Sequence, residues 1–179
     1  MLRCIFCHFS QNWMPNCQNL LKNSSIMIKK SILFVCLGNI CRSPACEGFA
    51  KKYYGSYLDV DSAGIENYHV GEPPDSRSIK VCKNHGIDIS RHVARKIRKD
   101  DWEKFDVIVA LDQSVLQNLQ HKKPKNSKAK LVLFSKGVSD PWYGGNSAFD
   151  AMYSQIESEM DSFLKHLKLI PSQDQTETL

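Results

Sequence analysis

From about residue 30 onward, short apolar runs alternate with stretches of helical spacing. Ile32 to Val35, Tyr57 to Val60, Val107 to Leu111 and Leu131 to Phe134 are brief and rich in β-branched or aromatic residues. Runs of that length and composition are the pattern of parallel strands buried on both faces. Between them, Ser43-Pro44 predicts a helix opening there and running to about Tyr54, Pro74 to Asn84 predicts a second, and Asp112 to Leu119 a third, each with proline or a cap residue near its start. Phe149, Met152, Ile156, Met160, Phe163 and Leu167 recur every three or four residues, which lays one apolar stripe along a final helix. The alternation predicts a doubly wound α/β domain, a four-stranded parallel sheet with helices on both faces. Its expected extent is residues 27-170.

The ends of the chain read differently. The first 30 residues hold no acid and only Arg3, Lys22, Lys29 and Lys30 as cations, without a continuous apolar core of the secretory kind. Residues 1-26 are therefore expected to be a leader, and a protein starting at Met27 to melt as high as the full chain. Residues 171-179 read as a polar tail. The longest unbroken apolar run, Ile32 to Leu37, is far short of the roughly 20 residues of a membrane helix, so no membrane partner is expected. A chain of 179 residues amounts to about one ordinary domain, and a monomer is expected.

Charge and cysteine usage narrow the class further. The net charge of +5 suits nucleic acid or phosphorylated substrates equally. The acid-free stretch from Lys122 to Lys136 reads as a solvated face, and no nucleic-acid partner is expected. Seven cysteines, an odd number, favour a reducing compartment and a cytoplasmic location. Cys4-Ile5-Phe6-Cys7-His8 matches a c-type haem attachment pattern, but no export signal or haem-sized α domain accompanies it. Cys4, Cys7, His8 and Cys17 are zinc-ligand types at irregular spacing. Neither cofactor nor metal is expected.

In a doubly wound sheet, ligands bind beyond the carboxyl ends of the strands where the strand order reverses, so the loop after the first strand is the place to look. It reads Cys36-Leu37-Gly38-Asn39-Ile40-Cys41-Arg42-Ser43-Pro44 and leads straight into a helix. Such a loop turns backbone N–H groups inward at the positive end of a helix dipole, a concavity suited to a tetrahedral dianion. Gly38 and Asn39 are the residue types that best tolerate the necessary backbone angles. Cys36 is expected at the floor, where amides and Arg42 favour its thiolate and make it a nucleophile. Arg42 offers a planar fork to two phosphoryl oxygens, and Ser43 can cap the helix or donate to the sulfur. Neither the Gly-Lys-Ser of a nucleotide loop nor a dinucleotide Gly-x-Gly-x-x-Gly is present, so neither ATP nor NAD is expected.

A phosphorylated cysteine also needs an acid for the leaving oxygen. Asp140-Pro141-Trp142-Tyr143-Gly144-Gly145 offers one on a separate loop, with proline to stiffen it and aromatics to wall in a ring. Taken alone, the same stretch reads more readily as a surface turn, where Asp-Pro and Gly-Gly are common.

Together the two loops resemble the low-molecular-weight protein tyrosine phosphatase family. The likeness runs from about Lys30 to Leu167 and includes Asp61-Ser62-Ala63-Gly64, Gly71-Glu72-Pro73-Pro74-Asp75 and His92-Val93-Ala94-Arg95. It implies a four-stranded parallel sheet and metal-independent hydrolysis of phosphotyrosine through a phosphocysteine. By motif, Cys36 resembles the nucleophile, Arg42 the phosphate clamp and Asp140 the general acid. Leu37, Gly38, Asn39, Ile40, Cys41 and Ser43 complete the phosphate-binding loop, with Ser62, His92 and Asp112 as its supports. Leu37, Tyr68, Trp142 and Tyr143 correspond to pocket walls, His69 stands at a neighbouring variable position, and Tyr143 is a phosphorylation candidate. Cys41 corresponds to a cysteine that forms a reversible disulfide with the nucleophile after peroxide attack. Its alternative reading is a small loop-packing residue.

The implied partners are phosphotyrosine-containing proteins or small aryl phosphates. Related arsenate reductases relay a disulfide through two further downstream cysteines, whereas only Cys82 follows Cys46 here. Related protein-arginine phosphatases typically carry threonine where Ile40 stands. A phosphotyrosine-binding module without activity would usually have lost Cys36, Arg42 or Asp140.

Overall fold

The computed structural model describes residues 29–172. The expected leader, with its haem-like and zinc-like cysteine patterns, and most of the polar tail lie outside these residues. Four strands, β1 (Lys30–Cys36), β2 (Leu58–Gly64), β3 (Val107–Ala110) and β4 (Lys130–Leu133), form one parallel sheet in the order β2-β1-β3-β4. The five helices are α1 (Arg42–Tyr54), α2 (Ser76–Asn84), α3 (Asp101–Lys104), α4 (Gln113–Lys122) and α5 (Asn146–His166). Among the described residues, no helix is long and apolar enough to cross a membrane.

Side chains alternate across β1 and divide the interior in two. Ile32, Phe34 and Cys36 pack with α1, α2 and α5, while Leu33 and Val35 join Trp102 of α3 and Val115 and Leu119 of α4. Because both faces are covered, β1 reads as an unbroken apolar run rather than an alternating one. The predicted stripe on α5 is buried from Phe149 through Phe163, and Leu167 falls at the C-cap, partly buried.

Three predicted elements shift. β2 extends beyond Val60 to Gly64, because Asp61 and Ser62 hide its continuation: Asp61 pairs outward with Arg95 at 3.0 Å, and Ser62 is buried under a hydrogen-bond network. The second helix starts at Ser76 rather than Pro74, since the Asp75 carboxylate accepts from Arg77 N–H as its cap. Asp112 likewise caps α4 rather than opening it, accepting from Val115 N–H at 2.8 Å, and α4 runs on to Lys122. The four-residue α3 has no helical periodicity long enough to read, but its Trp102 is an anchor of the second cluster.

With β2 on one side of β1 and β3 on the other, chain connections leave the carboxyl end of β1 in opposite directions. Cys36 is the last residue of that strand. The fold thus sets the cysteine at its topological switch point.

Candidate active site

Between Cys36 and Arg42 the chain curls back on itself. Asn39 adopts φ 60°, the left-handed region, which lets its N–H donate back to Cys36 Sγ at 3.2 Å. Asparagine tolerates that angle better than other side chains, and here its amide also makes it a hub. Nδ2 donates to Ser43 Oγ at 2.9 Å and Ser62 Oγ at 2.8 Å, while Oδ1 accepts from Arg95 N–H at 2.9 Å and faces His92 Nε2 at 3.1 Å. Asn39, Ser43 and Ser62 are all fully buried, so these partners replace water.

Ser43 Oγ lies 3.0 Å from Cys36 Sγ. Its oxygen already accepts from Asn39, so the hydroxyl proton is left to the sulfur or to the more distant Ala63 carbonyl at 3.4 Å, and the sulfur is the nearer of the two. The cysteine therefore meets one backbone and one side-chain donor at the bottom of the loop, and it is nearly inaccessible from any other direction.

Arg42 opens α1 with its guanidinium held between two carboxylates. Nη1 donates to Asp112 Oδ2 at 2.6 Å and to the Val138 carbonyl at 3.3 Å, and Nη2 donates to Asp140 Oδ2 at 2.7 Å. Burial disfavours its charge, but Cys36, Asp140 and Asp112 outweigh burial and push its pKa up. Asp112 is kept below the ordinary carboxylate value: against the effect of burial, Ser114, the Val115 amide and Arg42 all stabilise its anion. Burial, Asp75 and Cys36 push the Cys41 thiol far up, so Cys41 stays protonated.

A cavity of about 230 Å³ opens above the sulfur. Cys36, Arg42 and Asp140 lie in it, with Leu37, Gly38, Ile40 and Cys41 from the loop and Tyr68, His69, Trp142 and Tyr143 around the mouth. The His69 and Trp142 rings pack on each other at this mouth, tilted by 49° with centres 5.5 Å apart, and His69 Nδ1 reaches Glu72 at 2.7 Å. A Cβ on Gly38 would sit 2.9 Å from the His69 ring, so the glycine makes room for that wall. Tyr143 is 98% exposed and belongs to the rim rather than the interior. The sixteen residues that the resemblance points to lie in the cavity, in its loop or in the hydrogen bonds beneath them. Among the described residues, no three His, Cys, Asp or Glu side chains converge as a metal would require.

Two supporting residues escaped the sequence reading. Glu47 of α1 accepts from Ser62 Oγ at 2.6 Å and lies 3.3 Å from His92 Nδ1, so its carboxylate holds two of the four groups that hold the Asn39 amide. Although burial raises it, His92, Lys51 and Ser62 hold its carboxyl at about 2. Arg95 lends its backbone N–H to Asn39 while its side chain is pinned between Asp61 and Asp101. The one available signal for Glu47 was an acid on the inward side of an otherwise apolar helix segment, between Cys46 and Phe49.

A family model described as "Low molecular weight phosphotyrosine protein phosphatase" matches residues 31–171. A protein of that name from Schizosaccharomyces pombe is 41% identical over 150 residues, covering 76% of this chain and 96% of its own length. Among solved structures, a protein tyrosine phosphatase from Entamoeba histolytica with Hepes in its active site superposes with a TM-score of 0.72 at 33% identity, over 78% of this chain and 97% of that one. A Drosophila arginine phosphatase gives 0.71 at 33% identity, over 76% and 97%. These likenesses span the sheet, the nucleophile loop and the Asp140 loop alike, and on them the chain belongs to the low molecular weight phosphotyrosine protein phosphatases, enzymes that hydrolyse phosphoric monoesters.

Proposed function

We propose that the protein hydrolyses phosphotyrosine and other aryl phosphates in two steps through a phosphocysteine formed on Cys36, without a metal. The observation that carries this reading is the convergence on one cavity of a sulfur with two donors aimed at it, a guanidinium, and a carboxylate held by that guanidinium. In the first step the Cys36 thiolate attacks phosphorus and a P–S bond forms. The aryl O–P bond breaks, and the departing phenolate takes a proton from Asp140. In the second, water gives a proton to the Asp140 carboxylate and attacks phosphorus. The S–P bond then breaks, releasing phosphate and the thiolate.

Arg42 and the loop amides take the charge of the equatorial oxygens, and Ser43 stabilises sulfur as it leaves. Asn39, Ser62, His92 and Asp112 hold the loop and the arginine in place. The ring of the substrate lies against Leu37, Tyr68 and the His69–Trp142 pair, apolar and aromatic walls that favour a phenyl ester over phosphoserine. After peroxide converts Cys36 to a sulfenic acid, the Cys41 thiol condenses with it, forming S–S and releasing water. The catalytic unit is residues 27-170, acting as a cytoplasmic monomer on phosphotyrosine proteins or small aryl phosphates, with Tyr143 available for phosphorylation.

The likeness to an arginine phosphatase makes phosphoarginine the informative competitor. A panel of phosphotyrosine, phosphoserine and phosphoarginine, with the parent and Cys36→Ser, tests the reading. Phosphotyrosine turnover that disappears in Cys36→Ser while binding persists is the expected outcome. Faster phosphoarginine than phosphotyrosine turnover would replace the substrate assignment, and activity surviving without the sulfur would end the mechanism.

A further inference from the structure

Asp140 is 42% exposed along its side chain and sits on a loop with few ties to the rest of the molecule. Within that loop Asp140 Oδ1 accepts from Trp142 N–H at 3.1 Å, and Gly144 N–H donates to the Pro141 carbonyl at 2.9 Å. Among the described residues, its side-chain hydrogen bonds to other elements come from two arginines. One is Arg42, through the Asp140 carboxylate. The other is Arg77 in the first turn of α2, which donates to the Gly144 carbonyl from Nη1 at 2.8 Å and to the Trp142 carbonyl from Nη2 at 3.3 Å.

These two ties differ in what happens to them on the proposed reaction path. A phosphoryl group entering the loop claims the Arg42 donors, so Nη2 must release Asp140 just when the acid is needed. Arg77 reaches the loop through those two carbonyls and the Trp142 ring, whose centre lies 5.9 Å from its guanidinium carbon; it does not line the cavity and keeps its grip throughout.

The arginine is itself held on every side. Asp75 binds it in a fork, accepting from Nε at 3.0 Å and Nη2 at 2.8 Å, and its guanidinium carbon lies 4.3 Å from the ring centre of the buried Phe149 in the first turn of α5. The same turn of α2 grips the nucleophile loop from behind. Asp75 N–H donates to the Ile40 carbonyl at 2.9 Å and Ser78 Oγ to the Cys41 carbonyl at 3.0 Å. Three residues of one short stretch thus bracket both reacting loops: Asp75 and Ser78 hold the floor, and Arg77 holds the loop that carries the acid.

We propose that Arg77 is a positioning residue for the general acid, keeping Asp140 over the leaving oxygen once substrate has taken Arg42 away from it. The inference rests on the assignment of Asp140 made above and adds to it the group that replaces Arg42 as the anchor of its loop. Lysine is a poor substitute, since a single ammonium cannot match the Asp75 fork and both carbonyls together.

The test is kcat/KM of the full chain across dinitrophenyl, para-nitrophenyl and phenyl phosphate, for the parent, Arg77→Met, Asp140→Ala and the double variant. Leaving groups that part readily need little protonation, so a misplaced acid shows itself only with the poorer ones. Arg77→Met, which keeps much of the aliphatic packing, is expected to lose roughly tenfold on phenyl phosphate, within the ~10²-fold that a displacement of about 1 Å can cost. On dinitrophenyl phosphate it should stay within about twofold of the parent, and inhibition by inorganic phosphate should be unchanged. In the Asp140→Ala background the same substitution should have less than about a twofold effect on any substrate, because no acid remains to be placed.

An equal loss along the whole series, or a loss that multiplies with that of Asp140→Ala, would overturn the positioning role. If Asp140→Ala itself shows no leaving-group dependence, the acid assignment falls first and the role of Arg77 falls with it. Should Arg77→Met fail to fold, Arg77→Lys keeps the cation beside Asp75, and an intermediate steepening is expected from it. Parent-like behaviour of a folded Arg77→Lys across the series would also overturn the proposal.

Discussion

Gly64, the last residue of β2, is the position where a single methyl group should do the most damage. A Cβ there would stand 2.8 Å from the Leu37 carbonyl oxygen, 3.0 Å from the Gly38 carbonyl carbon and 3.1 Å from the Asn39 nitrogen. All three are backbone atoms of the nucleophile loop, so relief cannot come from a rotamer change. Gly64 is also bonded through both its N–H and its carbonyl to the segment around Lys96, donating to the Arg95 carbonyl at 2.8 Å and accepting from Ile97 N–H at 2.9 Å, which prevents β2 from backing away. Gly64→Ala should therefore lift the loop by a few tenths of an ångström and turn the Asn39 N–H away from Cys36. Overpacking of this kind costs about 1–3 kcal/mol, which at roughly 3 °C per kcal/mol is a moderate fall in melting temperature. The fall in kcat/KM for para-nitrophenyl phosphate should be larger, on the order of 10²-fold, because a reacting geometry is disturbed. Gly145→Ala is the control: nothing lies within 4 Å of its added methyl and its φ is ordinary, so stability should hold or rise slightly. A folded Gly64→Ala protein with parental kcat/KM would refute the claim that β2 sets the height of the loop.

Three further outcomes follow from the support network. Glu47, held at about 2 against an ordinary 4.5, adds stability that is complete above its unfolded pKa and is lost as pH falls through its folded one. Acid melts between about pH 5 and pH 2 should therefore show a loss of the order of 3 kcal/mol that Glu47→Gln largely flattens; equal slopes in parent and variant would contradict it. Asn39→Ala leaves Ser62 and the Arg95 N–H short of a partner and puts alanine at φ 60°, for a combined cost of about 2–4 kcal/mol in denaturant melts. Asn39→Gly should recover about 1 kcal/mol of that, the backbone share, without recovering activity. Cys41→Ser should match the parent in turnover yet recover poorly with thiol after peroxide, and full recovery would remove the proposed disulfide.

The sequence disclosed those parts of the site that are contiguous in the chain. A strand, a loop with a cysteine and an arginine, and a helix start are local, so the loop and its place in the fold could be read from residue type and spacing. Asp112 was reachable only through a family likeness, because nothing local distinguishes an α4 cap that also pairs with Arg42 from any other helix cap. Glu47 and Arg77 stayed hidden for a related reason. Their partners are 15 and 45 residues away on one count and 65 to 67 on the other, and charged residues on a helix ordinarily face solvent. The continuation of β2 was lost because Asp61 and Ser62 break the apolar run for the sake of the site. A strand that ends in polar residues with assigned partners is indistinguishable, in one dimension, from a strand that has stopped.

The two carboxylates on Arg42 are unequal, and the inequality suggests how binding is joined to acid delivery in the proposed mechanism. Asp112 is fastened by Ser114 at 2.6 Å and the Val115 N–H at 2.8 Å as well as by Arg42, so moving it would sacrifice a helix cap along with an ion pair. Among the described residues Asp140 has only the Trp142 N–H besides Arg42, and at 42% exposure its pairing belongs to the class of ion pairs that contribute about 1 kcal/mol or less. A phosphate dianion over the loop therefore displaces Asp140 and leaves Asp112 in place. Arg42 stays oriented by Asp112 while its free edge turns to the phosphoryl oxygens. Asp140 meanwhile is released from the guanidinium and is free to turn toward the leaving oxygen. Substrate binding would thus free the acid at the moment the first step requires it, and departure of phosphate would restore the pair with Arg42 for the next cycle.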